Sequence, residues 1–372
     1  MYFLKLGTIG FGGPVALVGY MHRDLVETRK WISDDEYKQG LALAQLAPGP
    51  LAAQLAIYFG FVHYRVLGAT LAGIAFVLPS FIMVILLGVA YTLYGGLPWM
   101  RGAFYGVGAA VIGIIAVSSV KLTKKTVGNF SLQSLKAKWL LWLFFILGAV
   151  LTFITQHEEV ILFILAGIIY MFVKAPPKWR HTRAMNSFVL LQINFWEFEM
   201  DTLGKLALFF AKAGAFVFGS GLAIVPFLHA GVVTENQWLT EQQFLDSVAV
   251  AMITPGPVVI TVGFIGYLIA GFPGACVAAL ATFLPCYLLT ILPAPYFKKI
   301  ATNKSVAAFV EGITAAVIGA LVGAVVVIAT RSIVDVTTAL IAVASIFVLL
   351  YIKKIREPFI ILLAAVFGIL LN

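Results

Sequence analysis

The chain has 372 residues, 62% of them apolar and only 11% charged, with a mean hydropathy of +1.02. Soluble domains carry about 25% charged residues, so this composition cannot cover a water-facing surface. It excludes a soluble enzyme and makes a lipid bilayer the solvent. The net charge of +9, from 25 Lys+Arg against 16 Asp+Glu, therefore needs an explanation other than nucleic acid.

A spanning helix needs about 20 apolar residues. In chain order the apolar segments fall at 3–20, 40–62, 66–94, 103–120, 139–154 and 159–173. A second set follows at 202–228, 247–271, 273–294, 305–329, 333–351 and 357–371. The stretch 174–201 between the sets carries Pro176, Pro177 and four Lys/Arg. It reads as a linker between an N-terminal repeat, 1–173, and a C-terminal repeat, 202–372. Cys276 and Cys286 lie inside apolar stretches and read as small core residues. The five histidines are scattered, and neither a metal nor a cofactor is expected.

The two halves repeat. At a shift of 207, 15 of the 56 positions from 3 to 58 are identical without a gap. The register aligns Lys5 with Lys212, His22 with His229, Trp31 with Trp238, and Pro48-Gly49-Pro50 with Pro255-Gly256-Pro257. Beyond a one-residue deletion the shift is 206, and Ala109–Gly113 falls on Ala315–Gly319. Internal repeats with interrupted apolar segments are the mark of a secondary transporter.

Cytoplasmic loops concentrate Lys and Arg. If all twelve segments cross, the 22 loop Lys/Arg divide 11 and 11 between the faces. If 40–62 and 247–271 instead turn back at Pro-Gly-Pro, the division is 20 to 2, whereas turning back 3–20 and 202–228 gives 16 to 6. The expected fold is therefore an all-α polytopic membrane protein. It has two homologous halves in inverted topology, about 10 spanning helices, and a re-entrant Pro-Gly-Pro hairpin in each half. Ser33-Asp34-Asp35-Glu36 and Thr240-Glu241-Gln242-Gln243 read as capping boxes that start the re-entrant helices. Trp31 and Trp238 just ahead of them are interfacial anchors.

A re-entrant turn aims helix N-termini at the membrane midplane, where unpaired N–H groups suit an anion. The candidates are Gly49 and Leu51 on one return arm, with Gly256 and Val258 on the other. Phe11-Gly12-Gly13-Pro14 and its mate Phe218-Gly219-Ser220-Gly221 are a second pair of breaks. Lys5 and Lys212 lie in apolar segments near these breaks; each reads either as an anion ligand or as a side chain snorkelling to the surface. Gln45, Gln54, Thr254, Thr261 and Ser220 flank the breaks and can serve an oxyanion or the freed backbone groups. Glu311, His22 and His229 are proton-coupling candidates, with an interfacial or surface position as the competing reading of each.

The motifs Phe3-Leu4-Lys5-Leu6-Gly7, Phe11-Gly12-Gly13-Pro14, Leu46-Ala47-Pro48-Gly49-Pro50 and Phe76-Val77-Leu78-Pro79-Ser80 resemble the chromate ion transporter family in its two-domain form. So do Phe216–Gly221 and Thr254–Val258 in the second half. The resemblance implies a multi-pass inner-membrane carrier that exports chromate, a tetrahedral dianion like sulfate, and draws on the proton motive force. It also implies a polar leader ahead of Phe3, so a shortened N-terminus is expected. Gly-Ser-Gly in place of Gly-Gly-Pro puts strict symmetry between the half-sites in doubt. A passive anion channel, or a carrier of sulfate or another oxyanion, is the alternative. An intramembrane enzyme is disfavoured, because no nucleophile–base set lies at membrane depth. A homodimer is left open.

Overall fold

The computed structural model describes residues 1–371 except 11–12, 96, 158–159, 178–200, 218–220, 297–302, 353–354 and 356. It is helical throughout, with no strand among the described residues.

Each half opens with a short hairpin. In the first, α1 (Tyr2–Ile9) ends at Gly10, and α2 (Gly13–Met21) continues through a π-helical turn, His22–Thr28. The two helices run antiparallel: the Tyr2 hydroxyl donates to the Tyr20 carbonyl and to Asp24 Oδ2, both at 3.4 Å. In the second half α9 (Thr202–Ala215) is followed by a 3-10 turn, Gly221–Ile224. The return arm is then α10 (Val225–His229) and the π-helical turn Ala230–Glu235. Phe209 stacks on Phe227 at 5.4 Å and meets Trp238 edge-on at 5.7 Å, so this segment also doubles back. Segments 3–20 and 202–228 were expected to cross. Their helices are too short: eight and 14 residues span about 12 and 21 Å at 1.5 Å per residue, against a core of about 30 Å.

A second hairpin follows in each half. α3 (Asp34–Leu46) starts in a capping box between Ser33 and Glu36, and α11 (Glu241–Ile253) in one between Thr240 and Gln243. Each box satisfies two helix-terminal amides reciprocally. Pro-Gly-Pro ends both helices, with Ala47 and Thr254 extended, because a proline disfavours helical backbone at the residue before it. The chain then reverses into α4 (Leu51–Tyr94) and, through a 3-10 turn, α12 (Thr261–Ile291). A side chain at Gly40 would strike Tyr58; the two lie symmetrically about Gly49, which fixes antiparallel packing. His63 Nε2 sits 3.1 Å from the Trp31 carbonyl, so both ends of this hairpin lie at one level.

A sharp reversal then separates each return arm from a long helix. It falls at Tyr64 and Arg65 (φ −134, ψ 27; φ 52, ψ −141) and at their mates Ala270 and Gly271 (φ −141, ψ 28; φ 61, ψ −152).

The remaining helices run through the bundle. They are α5 (Pro98–Thr126), α7 (Trp139–Thr155) and α8 (Val160–Lys174), with the short α6 (Leu132–Ala137) between α5 and α7. In the second half they are α13 (Lys304–Ser332), α14 (Val336–Tyr351) and α15 (Glu357–Leu371). The halves exchange partners: α7 and α8 pack on α13, while α14 and α15 pack on α5. Gly312 backs onto Ala166, and its mate Gly106 onto Ala364; Gly319 backs onto Phe145, and its mate Gly113 onto Ala342.

One pair of repeat mates, α4 and α12, packs antiparallel. α4 and α12 touch through Thr70 and Tyr287 (2.7 Å between hydroxyls) towards one end and through Gly88 and Tyr267 towards the other. The outer helices turn large apolar side chains outward, among them Leu143, Ile146, Phe153, Leu362 and Phe367. The chain is an all-α, multi-pass membrane protein.

Candidate functional site

The two Pro-Gly-Pro turns meet the breaks of the opposite half. The Gly49 amide donates to the Val217 carbonyl at 2.5 Å, and the Gly256 amide to the Gly10 carbonyl at 3.0 Å. Gly10 and Val217 are repeat mates, so one contact is made twice. Both turn glycines have positive φ, 143° and 106°, which L side chains avoid. They also stand against kinked helices: a Cβ at Gly49 would lie 2.7 Å from Cys286 Sγ, and one at Gly256 2.8 Å from Ser80 Oγ. Ser80 and Cys286 are mates too, each following a helix-interior proline, Pro79 or Pro285.

Buried polar groups line this centre. Gln54 is fully buried, and its Nε2 donates to the carbonyls of Ala47 (3.2 Å) and Pro48 (2.9 Å). Its Oε1 has no protein partner. Thr261, its mate, donates to the Val258 carbonyl at 2.8 Å, and Thr254 donates to Val250 at 2.6 Å. Leu51 is buried and opens α4. The first-turn amides of a helix have no intrahelical partner. Gly221 packs against Val258 and Val259, so break and return arm of the second half meet. Gln45 is exposed. Gly13 opens α2; Gly12, Gly219 and Ser220 lie outside the described residues.

The lysines sit apart from the turns. Lys212 is exposed, three residues before the end of α9, and lines with Lys205, Glu235, Asn236 and Trp238 a polar cavity of about 360 Å³ that runs along the α9 hairpin. Lys5 is exposed on α1. A larger cavity of about 500 Å³ lies between α4 and α12, but residues such as Ile74, Val77, Leu280 and Phe283 line it. No charged side chain lines it, and its hydroxyls, on Thr70 and Tyr287, bond each other.

The proton-coupling candidates are placed differently from one another. Glu311 pairs with Lys174 at 2.5 Å on the exposed surface. His22 is a third exposed, 3.0 Å from Glu27 and 3.2 Å from Asp34. His229 is buried, against the expected surface position, and holds Glu241 at 2.7 Å. Both histidines thus tie the first hairpin of their half to the start of the second. Hydrogen bonds from Lys38 and His22 hold the Asp34 carboxyl below the usual carboxylate range. The residue that sequence reasoning missed is Asp246, one residue outside the apolar segment 247–271. It is 1% exposed and accepts from the Tyr91 hydroxyl and Gln242 Nε2, both at 2.8 Å.

Broken helical hairpins meeting inside a duplicated membrane bundle are an architecture of membrane transport proteins. Comparison with known proteins makes this specific. The chromate transporter family matches residues 1–172 and 204–369, and the chain belongs to that family. It is a family of transport proteins, not enzymes. The chain is 62% identical over 374 residues to the chromate transport protein of Cupriavidus metallidurans, covering 99% of this chain and 91% of that one. It is 58% identical to the probable chromate transport protein of Synechococcus elongatus, covering 99% and 94%. It is 30% identical to the chromate transport protein of Pseudomonas aeruginosa, covering 87% and 78%. No solved structure matches the chain.

Proposed function

We propose that the chain is a secondary carrier that exports chromate across the inner membrane, driven by the proton motive force. The observation that carries this reading is the crossed pair of turns: each Pro-Gly-Pro amide is engaged by the break of the opposite half. An oxyanion bound there contacts the first turn of α4 near Leu51 and the α12 arm near Val258, while Gln54 keeps its amide protons on the Ala47 and Pro48 carbonyls. A turn that moves must exchange its bond to the opposite break for a bond to substrate, which couples binding to movement of the Pro-Gly-Pro hairpins. The names of the relatives supply chromate as the substrate.

The halves lie in opposite orientations in this reading, with the first-half hairpins opening to the cytoplasm. Charge supports it. Arg23, Arg29, Lys30, Lys38 and Arg65 surround the mouths of the first-half hairpins, and no Lys or Arg occupies the matching stretches 230–245 and 269–272. Lys5 and Lys212 then stand on opposite sides, each collecting anions towards the centre. The described ends of the repeats 1–173 and 202–372 lie at opposite ends of the bundle. Lys174 lies by Glu311, whereas Lys205 shares its cavity with Val160 at the far end of α8.

The test is flux in proteoliposomes. Chromate uptake that saturates, is stimulated by chromate on the far side and is competed by sulfate at one pH more than at another supports a coupled carrier. Flux that rises without saturation overturns the carrier in favour of a channel.

A further inference from the structure

Asp246 has no counterpart in the other half. Its mate is Gln39, which is partly exposed. Asp246 sits five residues into α11, about 7.5 Å along the helix, and is 1% exposed. Its donor Tyr91 packs against an apolar cluster that includes Val84, Val250 and Phe264, and Phe104 meets the Tyr91 ring at 5.1 Å.

The cations on the helices packed around Asp246 (Arg65 of α4, Arg101, Lys121, Lys124 and Lys125 of α5, Lys304 and Arg331 of α13) are all exposed, and none pairs with it. From α4 comes Tyr91 itself. On α5, Tyr105 donates to Asp335. On α11, Glu241 is taken by His229 and by Arg331 of α13, and Arg331 also donates to Gln156. Among the described residues no cation touches Asp246. An ionised carboxylate is costly in such a place, and a proton removes the cost.

Both donors connect the halves. Tyr91 belongs to the first half, and Gln242 also donates to the Phe104 carbonyl of α5 at 3.1 Å. Asp246 therefore fastens α11, the helix that delivers the second Pro-Gly-Pro turn, to the first half. Ionised, it accepts from Tyr91 and Gln242 together. Protonated, it holds them more weakly, because one oxygen becomes a donor.

We propose that Asp246 is the proton-binding carboxylate of the transport cycle, with Tyr91 as its positioning residue. One proton binds Oδ from one side as α11 loosens from the first half and leaves to the other side as the grip re-forms. This rests on the carrier reading.

The test uses the purified full-length chain. Infrared difference spectra between acidic and alkaline buffer, without chromate, read the carboxyl directly. A protonated carboxyl band that titrates in the wild type and is missing from Asp246→Asn is expected, with its midpoint moved in Tyr91→Phe. In proteoliposomes, Asp246→Asn is expected to lose at least ~10-fold of pH-gradient-driven chromate accumulation, with chromate–chromate exchange reduced by less than ~3-fold. An Asp246 that stays in one protonation state throughout overturns the proposal, as does undiminished gradient-driven accumulation in Asp246→Asn. If the wild type shows no chromate exchange, the carrier reading falls and the coupling role falls with it, even where the infrared titration stands.

Discussion

The amide of Gly49 donates to the carbonyl of Val217, on the other half of the chain and 168 residues away (217 − 49). The reciprocal bond from Gly256 to Gly10 makes the two turns dependent on each other's breaks. A methyl group at either glycine meets two penalties: a positive φ, and a Cβ under 3 Å from a side chain. Gly49→Ala and Gly256→Ala should each cost about 1–3 kcal/mol and abolish most transport. Melting of the purified protein together with uptake checks this. Adding Cys286→Ala to Gly49→Ala should recover only part of the stability, since it removes the Sγ contact but leaves Gln54 Nε2 at 2.8 Å and the positive φ.

Arg65 has φ 52 where its mate is a glycine. Replacing it with glycine should stabilise the fold by about 1 kcal/mol, despite losing the stacking of its guanidinium over Phe61. A melting temperature at or below that of the wild type contradicts this.

Acid should loosen the helix starts. The Ser33 amide and hydroxyl hold the Glu36 carboxyl below its usual range, and the Thr338 amide, followed by the Tyr105 hydroxyl, does the same for Asp335. Groups depressed by folding stabilise above their unfolded values, 4.5 and 3.8, and lose that contribution as pH falls through the folded ones. Glu36→Gln and Asp335→Asn should therefore melt below the wild type at neutral pH. The curves should converge as pH drops below about 4.

Topology is open to labelling. Cysteines at positions 27, 35 and 64 should react from one face, and cysteines at 237 and 241 from the other. Reaction of 35 and 64 from opposite faces contradicts the hairpin reading of Pro-Gly-Pro in the membrane.

Lys212→Ala should raise the chromate concentration at half-maximal uptake several-fold, because the cavity it shares with Lys205 loses half its positive charge. Unchanged half-saturation removes the lysine from the anion route.

The duplication was legible because Trp, His, Lys and Pro-Gly-Pro fall in one register. It located the turns at Gly49 and Gly256 and the capping boxes ahead of them. Apolar content could not tell a helix that crosses from one that returns: 202–228 is long enough to span, and only the contact of Phe209 with Phe227 shows the reversal. Nor could local pattern find Asp246, whose donor Tyr91 is 155 residues away. Lys5 and Lys212 stood out in the sequence as isolated charges, and the structure leaves both exposed, with Lys212 sharing a cavity with Lys205.

The exchange of outer helices bears on how such a chain can be divided. Cut in the linker, either half would leave its long central helix, α5 or α13, without the two helices that cover it. Severed halves must then recombine as partners inserted with opposite polarity, a bimolecular search within the bilayer. Covalent linkage turns that search into an intramolecular one at high effective concentration. Two fragments made in one cell should therefore reassemble into an active transporter, whereas neither alone has a surface it can show to lipid along its central helix.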